Sequence, residues 1–113
     1  MKIYGISNCD TVRKARKWLT ENGVAHEFHD FRKDGLPESN LAAWEEALGW
    51  EALLNRRGTT WRQLPAEDRD TIDAPSAHRL MLAHPTLIKR PVVEANGLTM
   101  VGFSPDEWSG NLL

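Results

Sequence analysis

Hydrophobic and polar positions alternate at the start of the chain and then change to a helical spacing. Lys2 to Ile6 is a short alternating segment, which predicts a first strand. After it, Val12, Ala15 and Leu19 recur at the spacing of one helix face. Gly23 suits the position just beyond a helix end, so the first helix is expected to stop there.

The chain then returns to a strand pattern before a long helical middle. Val24 to Phe31 predicts a second strand, closed by a polar turn at Arg32–Gly35. Between Leu36 and Leu87 no segment has a period of two, and several segments have helical spacing. We therefore expect a helical insertion at about 36–88. The first predicted helix starts near Pro37–Ser39 and ends at Gly49, with Leu41, Trp44 and Leu48 on its apolar stripe. Shorter helices are predicted at Trp50–Asn55, Ala66–Thr71 and Ser76–Ala83, with prolines between several of them.

The last part of the chain carries hairpin and capping signals. Asn96-Gly97 is the dipeptide preferred by a type I′ turn, and it separates Val92–Glu94 from Leu98–Val101. Ser104, followed by a proline and then a glutamate at the third helical position, predicts the start of a final helix. The order is β-α-β, helical insertion, β-β-α, which predicts an α/β fold with one mixed four-stranded sheet.

Composition limits the class of protein. With 113 residues and 41% hydrophobic content, residues 1–113 are expected to form a single domain. The chain has no run of roughly 18 apolar residues, so no membrane association is expected. A formal net charge of −2 gives no general attraction to nucleic acid. The only cysteine cannot form an internal disulfide, which favours the reducing cytoplasm.

Cys9 is the strongest candidate for chemistry. It lies between the first strand and the first helix, where free backbone N–H groups and the helix dipole favour an anion such as a thiolate. Arg13 and Lys14 follow within about one helical turn and favour the same charge state. The alternative is a small buried hydrophobic residue, as most free cysteines are. Arg13 is interpreted as functional, whereas Arg16 and Lys17 are expected to be solvated.

The spacing around Cys9 excludes two other cysteine chemistries. A phosphatase loop requires an arginine where this chain has Ala15. An internal dithiol requires a second cysteine where it has Val12, so any redox cycle must take its second thiol from another molecule. Arg90-Pro91, directly before a strand, is a candidate cis peptide.

Other candidate groups are interpreted as structural. His26 and His29 are expected on opposite faces of a strand, and no metal site is predicted. Trp18 and Trp44 fall on helical core stripes, and the pair Glu45-Glu46 is expected to face solvent.

Two motifs together resemble one known family over the whole chain. Asn8-Cys9 ahead of Thr11-Val12-Arg13-Lys14-Ala15, and Leu87-Ile88-Lys89-Arg90-Pro91-Val92-Val93, are similar to the arsenate reductase (ArsC-like) family of thioredoxin-fold proteins. The resemblance implies a thioredoxin-like fold. It also implies that Cys9 is the nucleophile and that Arg90, before a cis-proline at Pro91, helps to bind an oxyanion. A further anion-binding arginine is implied after Ala52-Leu53-Leu54, where Arg57 is preferred over Arg56.

The sequence departs from arsenate reductases in the last hairpin strand, where Met100-Val101-Gly102-Phe103 contains no arginine. It looks more like an uncharacterised branch described as glutathione-dependent thiol reductases. The resemblance therefore implies a monothiol oxidoreductase with no bound cofactor, with glutathione as co-substrate and glutaredoxin as a second reductant. The alternative is a non-enzymatic redox-sensing or RNA-polymerase-binding regulator of the Spx type, although Val12 replaces the second cysteine of that switch.

Overall fold

A computed structural model describes the protein from Met1 to Leu113 and divides it into two compact units. The first comprises Met1–Gly35 and Arg90–Leu113, and the second is Leu36–Lys89. The strands are β1 (Lys2–Gly5), β2 (Glu27–Asp30), β3 (Val92–Ala95) and β4 (Leu98–Val101). The helices are α1 (Asp10–Glu21), α2 (Phe31–Asp34), α3 (Glu38–Leu48), α4 (Trp50–Leu53), α5 (Thr59–Gln63), α6 (Ala66–Asp70), α7 (Ala74–Ala83) and α8 (Pro105–Leu112), with a short 3₁₀ helix at Pro85–Leu87. No helix is long and apolar enough to cross a membrane.

The first unit contains the four-stranded sheet, whose strand order is β2-β1-β3-β4. Strand β1 pairs in parallel with β2 and antiparallel with β3, and β3 pairs antiparallel with β4. The predicted mixed sheet is therefore confirmed. The single-domain organisation of residues 1–113 stays a prediction.

Helix α1 forms and ends as its sequence predicts. Val12, Ala15 and Leu19 are all completely buried. At the other end, Gly23 has φ +68° and donates its N–H to the carbonyl of Thr20 at 3.2 Å. The N–H of Val24 donates to the carbonyl of Leu19 at 2.9 Å, and these two hydrogen bonds together form the Schellman motif.

One face of the sheet packs on helices α1 and α8. Ile3, Val93 and Met100 point into this core together with the completely buried Trp108. The indole of Trp108 meets Trp18 edge-on at a centroid distance of 5.7 Å, the favoured geometry for aromatic pairs. Trp18 itself is only partly buried, so it lies at the margin of the core in which it was predicted.

The hairpin and the final helix are confirmed at the predicted residues. Asn96 and Gly97 have φ values of +52° and +75°, the left-handed pair required by a type I′ turn. The Ser104 hydroxyl accepts a hydrogen bond from the backbone N–H of Glu107 at 3.3 Å, which caps α8.

The second strand is shorter than predicted. Only Glu27–Asp30 is extended, and the polar turn expected at Arg32–Gly35 is wrong because Phe31–Asp34 forms helix α2. The cause is Asp30, whose Oδ1 accepts hydrogen bonds from the N–H groups of Arg32 at 2.8 Å and Lys33 at 3.3 Å. An aspartate in this capping position ends the strand and begins the helix.

The second unit is helical and is closed by backbone pairing near its end. Leu54 and Ile88 form an isolated antiparallel bridge. The N–H of Asn55 donates to the carbonyl of Leu87, and the N–H of Lys89 donates to that of Leu53, both at 2.7 Å. Helix α5 was not predicted because none of its residues is buried, and it therefore has no apolar stripe.

A partly buried histidine cluster connects α3 to α7 in the second unit. His78 contacts Glu45 through Nδ1 and Glu38 through Nε2, the latter at 3.2 Å. The Glu45 side chain is only 17% exposed, so its predicted position facing solvent is wrong. The hydrogen bond that the His78 ring donates to the Glu45 carboxylate raises the pKa of His78 above its ordinary value, against the opposing effect of burial.

The close approach of β1 and α1 predicts the effect of two glycine substitutions. A Cβ on Gly5 would lie 2.7 Å from Cγ2 of Val12, a stiff and completely buried side chain. We expect Gly5→Ala to reduce the free energy of unfolding by about 1–3 kcal/mol, as overpacking does. Gly110→Ala is the matched control, because its Cβ meets nothing and α8 should gain up to about 1 kcal/mol. Equal stability of the two variants in urea denaturation would contradict the close packing.

The His78 cluster predicts a dependence of stability on pH. The pKa of His78 is higher in the folded protein than in the unfolded chain, where it is about 6.5. The ion pair of His78 therefore contributes its full stability below about pH 6.5, and this contribution is lost as the pH rises through the folded-state pKa. His78→Gln should therefore cost about 2 kcal/mol at about pH 6 and progressively less toward about pH 9. Urea denaturation across this range measures the difference. His84→Gln, at an exposed position after α7, is the control, and a His78→Gln cost independent of pH would refute the ionised pair.

Candidate active site

Cys9 occupies the N-cap of α1. Its backbone is extended, with φ −147° and ψ 122°, and its carbonyl accepts the first helical hydrogen bond from Arg13 N–H at 2.9 Å. Its side chain makes no capping hydrogen bond and is partly exposed. The thiol therefore stands at the positive end of a 12-residue helix, where a thiolate is electrostatically favoured.

The peptide bond between Arg90 and Pro91 is cis, as the sequence analysis expected. Val92, the next residue, pairs with Tyr4 in the antiparallel register of β1 and β3. The cis peptide consequently lies where β1 ends, at the edge of the sheet formed by the ends of its central strands. From there the chain continues from β1 to Cys9. The carbonyl of Pro91 accepts a hydrogen bond from Gly102 N–H at 2.8 Å, which holds this segment against the end of β4.

The Arg13 side chain contacts residues on both sides of Cys9 in the chain. Its guanidinium forms an ion pair with Asp10 and donates from Nη1 to the carbonyl of Ser7 at 3.4 Å. The side chain is 56% exposed, so this ion pair is weak and easily exchanged with solvent. Arg13 thus connects the residues on either side of Cys9, a role that the sequence did not indicate.

Arg57 lies in the second unit, in the loop between α4 and α5. Its backbone N–H donates to Oδ1 of Asn55 at 3.0 Å, and its carbonyl accepts from Arg62 at 3.1 Å. With Arg56 and Lys89 it lines an open cavity of about 340 Å³, whose charged lining also includes Glu51. Three cations against one carboxylate make this cavity attractive to anions.

The neighbouring Arg56 is held by aromatic rings. Its guanidinium carbon lies 5.7 Å from the ring centroid of Trp50 and 5.6 Å from that of Trp61. Both distances are within the range of a cation–π interaction. Arg56 therefore contacts one indole from α4 and one from α5, in addition to lining the cavity.

Asp30, which the sequence did not indicate as important, hydrogen-bonds the turn that leads to Cys9. It is the only buried charged side chain, with 4% exposure, and its Oδ2 accepts a hydrogen bond from Ser7 N–H at 3.1 Å. Burial would raise the pKa of Asp30, but hydrogen bonds from the backbone N–H groups of Arg32, Ser7 and Lys33 outweigh it and hold the pKa below its ordinary value. The available signal was an aspartate at the end of a strand, which is a capping pattern.

The first unit has the features of a thioredoxin-like protein. A β-α-β unit followed by a β-β-α unit forms the mixed sheet, a cysteine caps the first helix, and a cis-proline precedes the hairpin at the same sheet edge. The ArsC family model matches residues 4–111. The chain belongs to the ArsC family.

Individual relatives and structures agree with this assignment. The structure of the YffB protein has a TM-score of 0.95 and 46% identity and covers 99% of this chain and 98% of its own. An arsenate reductase (ArsC) related protein from Brucella melitensis is 50% identical, with a TM-score of 0.80 and coverages of 96% and 91%. An uncharacterised protein of Haemophilus influenzae is 42% identical over 106 residues, 94% of this chain and 93% of that protein.

The similar proteins also include regulators. The global transcriptional regulator Spx of Streptococcus agalactiae is 30% identical over 103 residues, which are 88% of this chain and 74% of that protein.

Proposed function

We propose that this protein is a monothiol oxidoreductase, a glutathione-dependent thiol/disulfide reductase in which Cys9 is the nucleophile. The observation that carries the proposal is the partly exposed Cys9 at the N-terminus of α1, at the sheet edge that also holds the cis Arg90-Pro91 peptide. Val12, at the position of a second thiol in a dithiol motif, is completely buried, so the cycle requires an external thiol.

The proposed cycle exchanges disulfides in three steps. The Cys9 thiolate attacks one sulfur of a substrate disulfide, forms a mixed disulfide and releases the other half as a thiolate. Glutathione thiolate then attacks the Cys9 sulfur, which releases the second half of the substrate and leaves Cys9 joined to glutathione. A further glutathione, or glutaredoxin, attacks the glutathione sulfur and restores the Cys9 thiolate. One substrate disulfide is reduced and one disulfide of the donor thiols is formed.

Two arginines complete the proposal. Arg90 precedes the cis-proline and is assigned to an anionic group near Cys9, and Arg57 is assigned to a substrate anion at the cavity of its own unit. Glutathione carries carboxylates, which guanidinium groups bind in a bidentate geometry. No bound cofactor is needed, and a cytoplasmic location would supply the reducing thiols.

Oxidised glutathione tests the role of Cys9 directly. The wild-type protein should gain the mass of one glutathione, and glutaredoxin with reduced glutathione should remove it. Cys9→Ser is the matched control, because it keeps the size and position of the side chain but cannot form the adduct. A wild-type protein that stays at its original mass would contradict the proposed function. Turnover of arsenate in the presence of glutathione and glutaredoxin, in a separate coupled assay, measures whether β4, which has no arginine, still permits arsenate reduction.

The role of Arg57 predicts a change in substrate affinity. Arg57→Ala should raise the KM for glutathione by about ten-fold, the loss of roughly one anion contact, and leave kcat unchanged. Arg79→Ala removes the same charge from an exposed position on α7 and is the control. Steady-state kinetics of the coupled reaction measure both constants. Equal KM values in the two variants would show that Arg57 does not bind the substrate.

A regulator of the Spx type is the second candidate, favoured by the 30% identity to Spx of Streptococcus agalactiae. It predicts that the protein binds purified bacterial RNA polymerase and that Cys9 oxidation changes the affinity, with no turnover of glutathione. A binding measurement with Cys9 reduced and then oxidised separates this candidate from the enzyme.

A further inference from the structure

Asp30 is a buried charge that the proposed reaction does not use. An unpaired carboxylate in the interior is costly, so its hydrogen-bond donors show what keeps it there. The donors come from two different segments. Oδ1 accepts from Arg32 and Lys33 within helix α2, and Oδ2 accepts from Ser7 in the turn between β1 and α1.

The two oxygens have different tasks. Capping α2 through Oδ1 needs only one acceptor, which asparagine and serine supply equally well. The bond from Oδ2 to Ser7 at 3.1 Å joins residues 23 positions apart, and it needs a second acceptor oxygen. A carboxylate is the side chain that provides both acceptors at once. The requirement for aspartate at this position therefore comes from the Ser7 bond.

Ser7 connects this bond to the nucleophile. It precedes Cys9 by two residues, and its peptide groups are held on both sides, by Asp30 at the N–H and by Arg13 at the carbonyl. Cys9 has no side-chain capping bond of its own. The direction of its thiol thus depends on how the preceding backbone is fixed.

We propose that Asp30 is a positioning residue for Cys9, acting through the Ser7 N–H. This inference rests on Cys9 being the reactive group of the proposed function. The buried carboxylate orders the turn before α1 so that the thiolate stays at the helix N-terminus, where it is most stabilised.

Asp30→Asn separates positioning from capping. Asparagine keeps an oxygen for Arg32 and Lys33 but presents an N–H₂ group to the Ser7 N–H, so donor faces donor. We expect the alkylation rate of Cys9 by iodoacetamide at neutral pH to fall by up to about ten-fold, because the thiolate is the nucleophile and a sulfur displaced from the helix N-terminus loses its stabilisation there. Asp34→Asn is the matched control, because Asp34 bonds the N–H of Asp30 and not the turn before Cys9. Equal slowing in both variants, or an unchanged rate in folded Asp30→Asn, would overturn the proposal.

Amide hydrogen exchange gives a readout that loss of α2 alone would not produce. In the wild type the Ser7 amide should be protected, and in Asp30→Asn it should lose protection while the Arg32 and Lys33 amides keep theirs. An unprotected Ser7 amide in the wild type contradicts the proposal without any variant. Asp30→Ser keeps a cap for α2, but its side chain is too short to reach Ser7. It should lower the alkylation rate of Cys9 in the same way, and it replaces Asp30→Asn if that variant does not fold.

The probes also distinguish this inference from the proposed function. Iodoacetamide reports only the reactivity of Cys9, whereas oxidised glutathione reports disulfide exchange. A wild-type Cys9 that is alkylated but does not react with oxidised glutathione contradicts the reductase. Even then, the alkylation rate of Cys9 in Asp30→Asn, compared with the wild type, decides whether Asp30 is a positioning residue.

Discussion

The first unit depends on strand β1, because β1 is the strand that pairs in parallel on one side and antiparallel on the other. Its carboxyl end delivers the chain to Cys9 at the edge where Pro91 leads into β3. Gly5 ends this strand without a side chain and leaves the space that Val12 fills. Helix α1 can therefore begin directly above the sheet, and the place of Cys9 at its N-terminus follows from backbone geometry.

The features that the sequence predicted correctly are those whose partners lie nearby in the chain. The Asn96-Gly97 turn, the Ser104 cap and the Gly23 helix end each satisfy their hydrogen bonds within a few residues. The position of Cys9 before α1 and the cis peptide before Pro91 belong to the same class, since each depends on residue type at an element boundary. For this reason, Cys9 and the cis peptide before Pro91 could be placed from the sequence alone.

The features that the sequence did not reveal depend on partners far away in the chain. Asp30 bonds Ser7 across 23 residues, and His78 bonds Glu45 across 33. A helical or strand period places a side chain on a face but does not say which polar group the fold brings opposite it. On that basis Glu45 is expected to face solvent, and Asp30 falls inside the predicted strand Val24–Phe31 with no role of its own. Buried polar groups need donors or acceptors, and only the tertiary structure supplies them.

The charges at the start of α1 have a different meaning in the structure than in the sequence. In the sequence, Arg13 and Lys14 favour a thiolate at Cys9, and Arg16 and Lys17 are expected to be solvated. Three of the four have partners within their own unit: Arg13 on Asp10, Arg16 over Phe28 at 4.2 Å, and Lys17 with Glu21 at 3.7 Å. The ion pair of Arg13 with Asp10 is exposed and weak, so Arg13 and the backbone N–H groups at the helix N-terminus could both support the Cys9 thiolate of the proposed function. In the proposed positioning role of Asp30, this support depends on the turn before Cys9, so the hydrogen bond that fixes Ser7 matters to the proposed chemistry together with any nearby cation.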